Sequence, residues 1–141
     1  DLPPKGSTLA PMTALCDLCS RNKTKPERLQ ITKFHRIHEV QADPEKCFLA
    51  QGIICLGPAT RGGCGEVCIK INIPCRGCFG PVEGVKDMGT KYLSALASII
   101  EGKTEDERKH VSEEVVDPVG YFYRFTTASS LLKKKRETKK A

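Results

Sequence analysis

Eight cysteines stand between Cys16 and Cys78, and their spacing limits what this chain can become more than any other feature. They open with a C-x2-C pair, Cys16 and Cys19. Cys47, Cys55, Cys64 and Cys68 follow singly, and a second C-x2-C pair, Cys75 and Cys78, closes the run. No basic-then-apolar leader precedes them, and no apolar run is long enough for a membrane span. The expected setting is therefore a reducing cytoplasm, where clustered cysteines serve as metal ligands more often than as disulfides. Hydrophobic residues make up 39% of the 141 residues, with no Trp, eight aromatics and Asp1 as the first residue. A core built from so little needs help from a bound group.

Eight thiolates divide into two sets of four. A [4Fe–4S] cube takes one thiolate per iron, and two intervening residues let neighbouring thiolates reach neighbouring irons. The uncrossed division gives Cys16, Cys19, Cys47 and Cys55 to a first cluster, and Cys64, Cys68, Cys75 and Cys78 to a second. Nine of the twelve glycines fall from Gly52 to Gly89, with Pro58, Pro74 and Pro81 among them. Such a stretch reads as tight turns wrapped around a bound group, with amides free to approach sulfur. Zinc is the competing ligand for paired knuckles, but joining 16/19 to 75/78 leaves the four central cysteines as an awkward second set. His35 and His38 lie in a basic, polar stretch and read as surface residues, Asp17 as a turn residue, and His110 as a partnerless residue on a charged helix.

The expected fold is mostly irregular with short α-helices: a small iron–sulfur cluster-binding domain. Residues 1–15 are an irregular lead-in, 16–101 the cluster-binding domain, 102–132 a charged helix with an aromatic arm, and 133–141 a basic tail. Leu29 and Ile31 predict a short extended piece. Asp43-Pro44 predicts a helix start, running through Cys47 to Gln51 and stopping at Gly52. Val85, Met88, Tyr92, Leu96 and Ile99 predict a docking helix within 84–101. Thr104 and Glu107 form a capping-box pattern for a helix to about Val115. Asp117-Pro118-Val119-Gly120 reads as a turn, and Tyr121, Phe122, Tyr123 and Phe125 as an extended arm that packs on another surface.

The formal charge is +6, but the 133–141 tail carries six basic residues and one acid, so the remainder is near neutral. That argues for a solvated end rather than a nucleic-acid surface. No Walker loop, G-x-S-x-G, H-E-x-x-H or dinucleotide fingerprint is present. With every thiol assigned to a cluster, no nucleophile remains, and the expected role is electron relay without catalysis by this chain alone.

The segment CFLAQGIICLGPATRGGCGEVCIKINIPCRGCFGP (47–81), with PPKGSTLA (3–10), the Cys16/Cys19 pair and DPVGYFYRF (117–125), resembles the small subunit of cytosolic [NiFe] hydrogenases. The similarity is to the methyl-viologen-reducing type of methanogenic archaea, a group related to the 20-kDa subunit of NADH dehydrogenase. The resemblance implies the fold of the C-terminal half of those subunits. It also implies a distal cluster on Cys16, Cys19, Cys47 and Cys55, and a medial cluster on Cys64, Cys68, Cys75 and Cys78. Cys16 stands where periplasmic relatives use histidine, and Cys68 supplies a fourth medial thiol and hence a full cube. The family's flavodoxin-like domain, which carries the proximal cluster, is not among these residues. The chain is expected to be either a fragment of a longer subunit or a separate wiring module. Implied partners are a hydrogenase large subunit or another dehydrogenase, a small [2Fe–2S] subunit and heterodisulfide reductase. A free ferredoxin-like carrier and a zinc-stabilised interaction module are the alternatives.

Overall fold

The computed structural model describes residues 2–5 and 11–133. Five short helices carry the regular structure: α1 Leu15–Leu18, α2 Val67–Lys70, α3 Met88–Ile99, α4 Glu105–Glu113 and α5 Pro118–Phe122. Among the described residues there is no strand, only isolated bridges joining Ala14 to Arg61, Ile31 to Ile100, His35 to Ile53 and Thr60 to Pro81. The mostly irregular, short-helical fold expected from the sequence is the one observed. The basic tail lies outside the described residues apart from Lys133.

α3 organises the interior. Asp87 caps it, accepting from the Thr90 amide at 2.8 Å, and the same carboxylate accepts from the Leu131 amide at 2.7 Å. One carboxylate thus satisfies a free helix donor and anchors the chain 44 residues later. Met88, Tyr92 and Leu96 recur on one face and are buried. The helix begins at Met88, so Val85 lies in the preceding turn rather than on it. Ile31 bonds on both sides of the helix end, its amide to Ile99 at 2.8 Å and its carbonyl to the Glu101 amide at 2.8 Å. The expected extended piece is therefore present, closed against a helix terminus.

Two expectations fail. The helix predicted over 43–51 shrinks to a single tight turn at Leu49–Gln51, ended by Gly52 at φ 71°. Its carbonyls and amides are taken by others. The Cys47 amide donates to Thr24 Oγ1 at 2.9 Å, and Gln51 Nε2 donates to the Lys46 carbonyl at 3.0 Å. The aromatic arm is not extended either. Asp117 caps α5, accepting from the Gly120 amide at 3.0 Å, with Pro118 at the first helical position. Phe122 packs on Tyr92 with ring centroids 5.1 Å apart. The Tyr123 ring lies over Gly89, where a side chain would collide with it. Burial of Phe122 and Tyr123 is worth about 1.5–3 kcal/mol each, and that favours the helix over an extended arm. The strip is interior, and only Phe125 remains exposed.

Candidate metal centre

The first four cysteines converge from three stretches of chain. α1 is pinned at its start, where the Leu15 amide donates to the Thr60 carbonyl at 2.7 Å and the Cys16 amide to the Gly57 carbonyl at 3.3 Å. The Asn22 amide returns to the Cys19 carbonyl at 2.9 Å, turning the chain after the C-x2-C pair. Ser20 holds that turn from outside, donating through its amide and hydroxyl to Glu66 Oε2, each at 2.8 Å. Thr24 then accepts from the Cys47 amide while its hydroxyl donates to the Arg21 carbonyl at 2.8 Å. Cys55 sits where Leu56 donates to the Cys75 carbonyl at 2.9 Å.

Cys16, Cys19, Cys47 and Cys55 together line one cavity with Leu15, Arg21, Phe48, Leu49, Gly57 and Ile69. The cavity among them is about 310 Å³ including its mouth. Gly57 forms a wall that only glycine can form: a Cβ there would lie 2.9 Å from Cys16 Sγ and 3.7 Å from Cys55 Sγ. Four soft donors, an apolar lining and a bare backbone wall suit an iron–sulfur group in number and chemistry.

Burial governs three of these thiols, Cys16, Cys19 and Cys55. It pushes the Cys16 thiol up to about 12, with the neighbouring Cys47 adding to the effect and Lys25 opposing it. Cys19 is also raised by burial, against a lowering from the Arg21 amide. Cys55 is raised by burial and by the nearby Cys75, against the Gly57 and Cys75 amides. Without a metal, these side chains are neutral thiols, and a metal must displace their protons.

The second four are arranged differently. All four lie within 64–78, and glycines turn the chain between and after them. Gly65 and Gly77 adopt φ 72° and 84°, a region that L side chains avoid. Cys75 is buried, Cys64 and Cys68 are half-buried and Cys78 is exposed. Burial raises Cys75, partly offset by the Thr60 hydroxyl at 3.5 Å, with Cys64 and Cys78 close enough to act on it. Cys68 stands on α2, and among the described residues no hydrogen bond joins its thiol to the other three. The two sets touch where the Cys75 amide donates to Cys55 Sγ at 3.3 Å.

All eight cysteines are free. Among the described residues, no three His, Cys, Asp or Glu side chains converge closely enough for a single metal ion. His35 and His38 are half-buried and exposed and do not line the cysteine cavity, and His110 is exposed. Asp17 accepts from the Ala14 amide at 3.2 Å, a turn role as expected. Sequence reasoning missed two residues at the site. Arg21 reads as one more charge in a basic stretch, yet it is buried against the cavity. Tyr92 reads as core, yet its hydroxyl is buried with no hydrogen-bond partner, and the groups acting on it most strongly after burial include Cys55, Cys16 and Cys75. Neither carries a spacing signal that would have found it. No helix among the described residues is long and apolar enough to cross a membrane.

No protein-family model matches the chain. Curated relatives do, and all of them are small subunits of F420-non-reducing hydrogenases. The chain is 44% identical over 119 residues to the one from Methanothermus fervidus, covering 81% of this chain and 91% of that relative. It is 44% identical over 126 residues to the one from Methanothermobacter marburgensis, covering 86% of this chain and 40% of the relative. It is 36% identical over 137 residues to the F420-non-reducing hydrogenase iron-sulfur subunit of Archaeoglobus profundus, covering 96% and 42%. The chain thus spans about two-fifths of the length of the two longer relatives.

Proposed function

Since the chain belongs to the F420-non-reducing hydrogenase small-subunit family, of the methyl-viologen-reducing type, we propose that it relays electrons inside a hydrogenase complex. Two [4Fe–4S] clusters would be held by its eight cysteines, the first by Cys16, Cys19, Cys47 and Cys55 and the second by Cys64, Cys68, Cys75 and Cys78. The observation that carries this reading is the cavity on which the first four thiols meet behind the Gly57 wall.

Bound there, iron–sulfur clusters supply one-electron chemistry. The protein supplies position and potential. Burial excludes water from the first set. The Cys75 amide aimed at Cys55 Sγ gives a sulfur hydrogen bond of the kind that raises a cluster's potential. The same contact brings the two sets back to back, which suits transfer between them. The exposed Cys78, with Phe79 exposed beside it in the chain, gives the second set an open side for exchange with a partner. The partners proposed are the other subunits of the hydrogenase complex, with heterodisulfide reductase, reached through a small [2Fe–2S] subunit, as acceptor in the cytoplasm of a methanogen-like archaeon. No acid–base pair or free nucleophile is assigned to the chain, so its contribution is conduction rather than bond chemistry.

Anaerobic purification with iron, sulfide and zinc analysis tests this. The expected result is about eight iron and eight sulfide per chain, one per cysteine ligand, with broad visible absorption that bleaches under dithionite. Zinc without sulfide overturns it.

A further inference from the structure

Arg21 is a buried cation that pairs with no carboxylate among the described residues, and it lines the first thiol cavity. It is 5% exposed. Both terminal nitrogens of its guanidinium are engaged by neutral groups. Nη1 donates to the carbonyls of Asp43 at 3.2 Å and Lys46 at 3.3 Å, and Nη2 to the Ile69 carbonyl at 3.0 Å and Asn72 Oδ1 at 3.0 Å. The guanidinium carbon lies 4.2 Å over the Phe48 ring. Among the described residues the one ion pair joins Lys46 to Asp43 at 3.6 Å, so Asp43 gives Arg21 its backbone and gives its charge elsewhere.

A guanidinium cannot shed its proton to escape burial. Buried charges are found paired, because an uncompensated one is costly. Four neutral acceptors and a ring face hold Arg21 in place, but none of them cancels its charge. Arg21 lines the same cavity as Cys16, Cys19, Cys47 and Cys55. Four thiolates around an iron–sulfur cube leave a net negative group in both its oxidation states. The other charged groups acting on these thiols are Lys25, Glu66 and Asp17. Lys25 and Asp17 are exposed and Glu66 is half-buried, so solvent screens them more than Arg21.

We propose that Arg21 is the buried counter-charge of the first iron–sulfur centre, a positioning residue that favours its reduced state and so raises its potential. This rests on the cluster reading given above. An added electron makes the centre more negative, and a fixed cation in a low-dielectric wall stabilises that state more than the oxidised one.

The test uses the full chain, loaded anaerobically, with both centres followed by electron paramagnetic resonance during a redox titration. The first centre is the signal lost in Cys16→Ser. Arg21→Gln is expected to lower its potential, cutting the reduced-to-oxidised ratio at fixed applied potential about tenfold, which is about 59 mV for one electron. Arg21→Lys keeps the charge and should restore most of that ratio. Asn72→Ala removes a neutral fork partner and should leave the potential unmoved, a result that simple loss of packing would not give. The second centre should hold its potential throughout. If Arg21→Gln fails to load the first centre, iron retained in Arg21→Lys supports the proposal, and iron lost from both overturns it. A loaded Arg21→Gln at the wild-type potential, or equal falls in the Gln and Lys variants, also overturns it. Wild-type chain that binds neither iron nor sulfide sinks the cluster reading itself, a failure visible before any variant is titrated.

Discussion

The two cysteine sets are built by opposite means. Cys16, Cys19, Cys47 and Cys55 come from three separated stretches and meet only because the backbone of 57–60 clasps α1 and Thr24 clasps Cys47. Cys64, Cys68, Cys75 and Cys78 lie in one continuous stretch, with Cys68 on α2 and glycine turns at Gly65 and Gly77, reaching from buried Cys75 to exposed Cys78. The first set is a product of tertiary structure and the second of local chain geometry. Damage to the fold should therefore reach the first set first, and damage to the turns should stay in the second.

Single ligand changes give the largest effect. Cys16→Ser should remove the first centre and about half of the iron, and Cys78→Ser should remove the other half and leave the first intact. Iron and sulfide analysis of each variant decides it. If either change empties both centres, the two sets form one unit and the contrast dissolves.

A core truncation comes next. Phe122→Ala removes the ring packed at a tilt against Tyr92 and should cost about 3–5 kcal/mol, read from chemical denaturation of the metal-free chain. Timed alkylation with mass spectrometry sharpens the comparison. In the parent chain, exposed Cys78 should react fastest and buried Cys55 slowest. In Phe122→Ala the Cys55 rate should rise by more than tenfold, while the Cys78 rate stays put. An unchanged Cys55 rate would mean that the first set does not depend on α3 and α5.

A smaller change acts inside the cavity. Gly57→Ala places a methyl 2.9 Å from Cys16 Sγ, an overpacking worth about 1–3 kcal/mol. First-centre iron should fall while the second-centre signal is kept. Full loading of both would show that the wall yields.

The smallest effect lies outside both sets. Burial pushes the Asp87 carboxyl up, but the Leu131 and Thr90 amides outweigh it and hold it below the ordinary range. A carboxyl lowered on folding stabilises above its unfolded value, about 3.9, and loses that contribution as pH falls through the lower folded value. Asp87→Asn should cost about 1 kcal/mol at neutral pH and flatten the acid limb of a stability–pH curve. Neither centre should lose iron.

Much of this was legible in the sequence, for reasons that particular residues make plain. The Thr104–Glu107 capping box forms as read, with α4 running Glu105–Glu113. α3 follows its apolar spacing, because Met88, Tyr92 and Leu96 have a surface to bury against. Cys16, Cys19, Cys47 and Cys55 line one cavity, and their assignment to one cluster is the proposal that the C-x2-C spacing first raises. What was not legible depended on side chains from far away. Asp117-Pro118 signals both a turn and a helix start, and only the packing of Phe122 on Tyr92 chooses the helix. Asp43-Pro44 gave a sound local helix signal, overridden when Arg21, Thr24 and Gln51 claimed the backbone groups that a helix needs. Arg21 itself was invisible, because nothing in a run of basic residues marks which one will be buried.

The clasp that joins Ile31 to Ile99 and Glu101 also has a consequence for the time course of synthesis. A ribosome adds about 5–20 residues per second. Cys16 and Cys19 therefore leave the exit tunnel several seconds before the 99–101 segment that closes the chain over them. During that interval the pair is an unfinished two-thiol chelator, open to oxidants and to whichever metal is at hand. The second set emerges together and waits far less. In a living cell the hazard of wrong metal therefore falls most heavily on the four thiols that end up best protected. Carriers that deliver iron and sulfide would gain most by reaching this chain after its last contacts have closed.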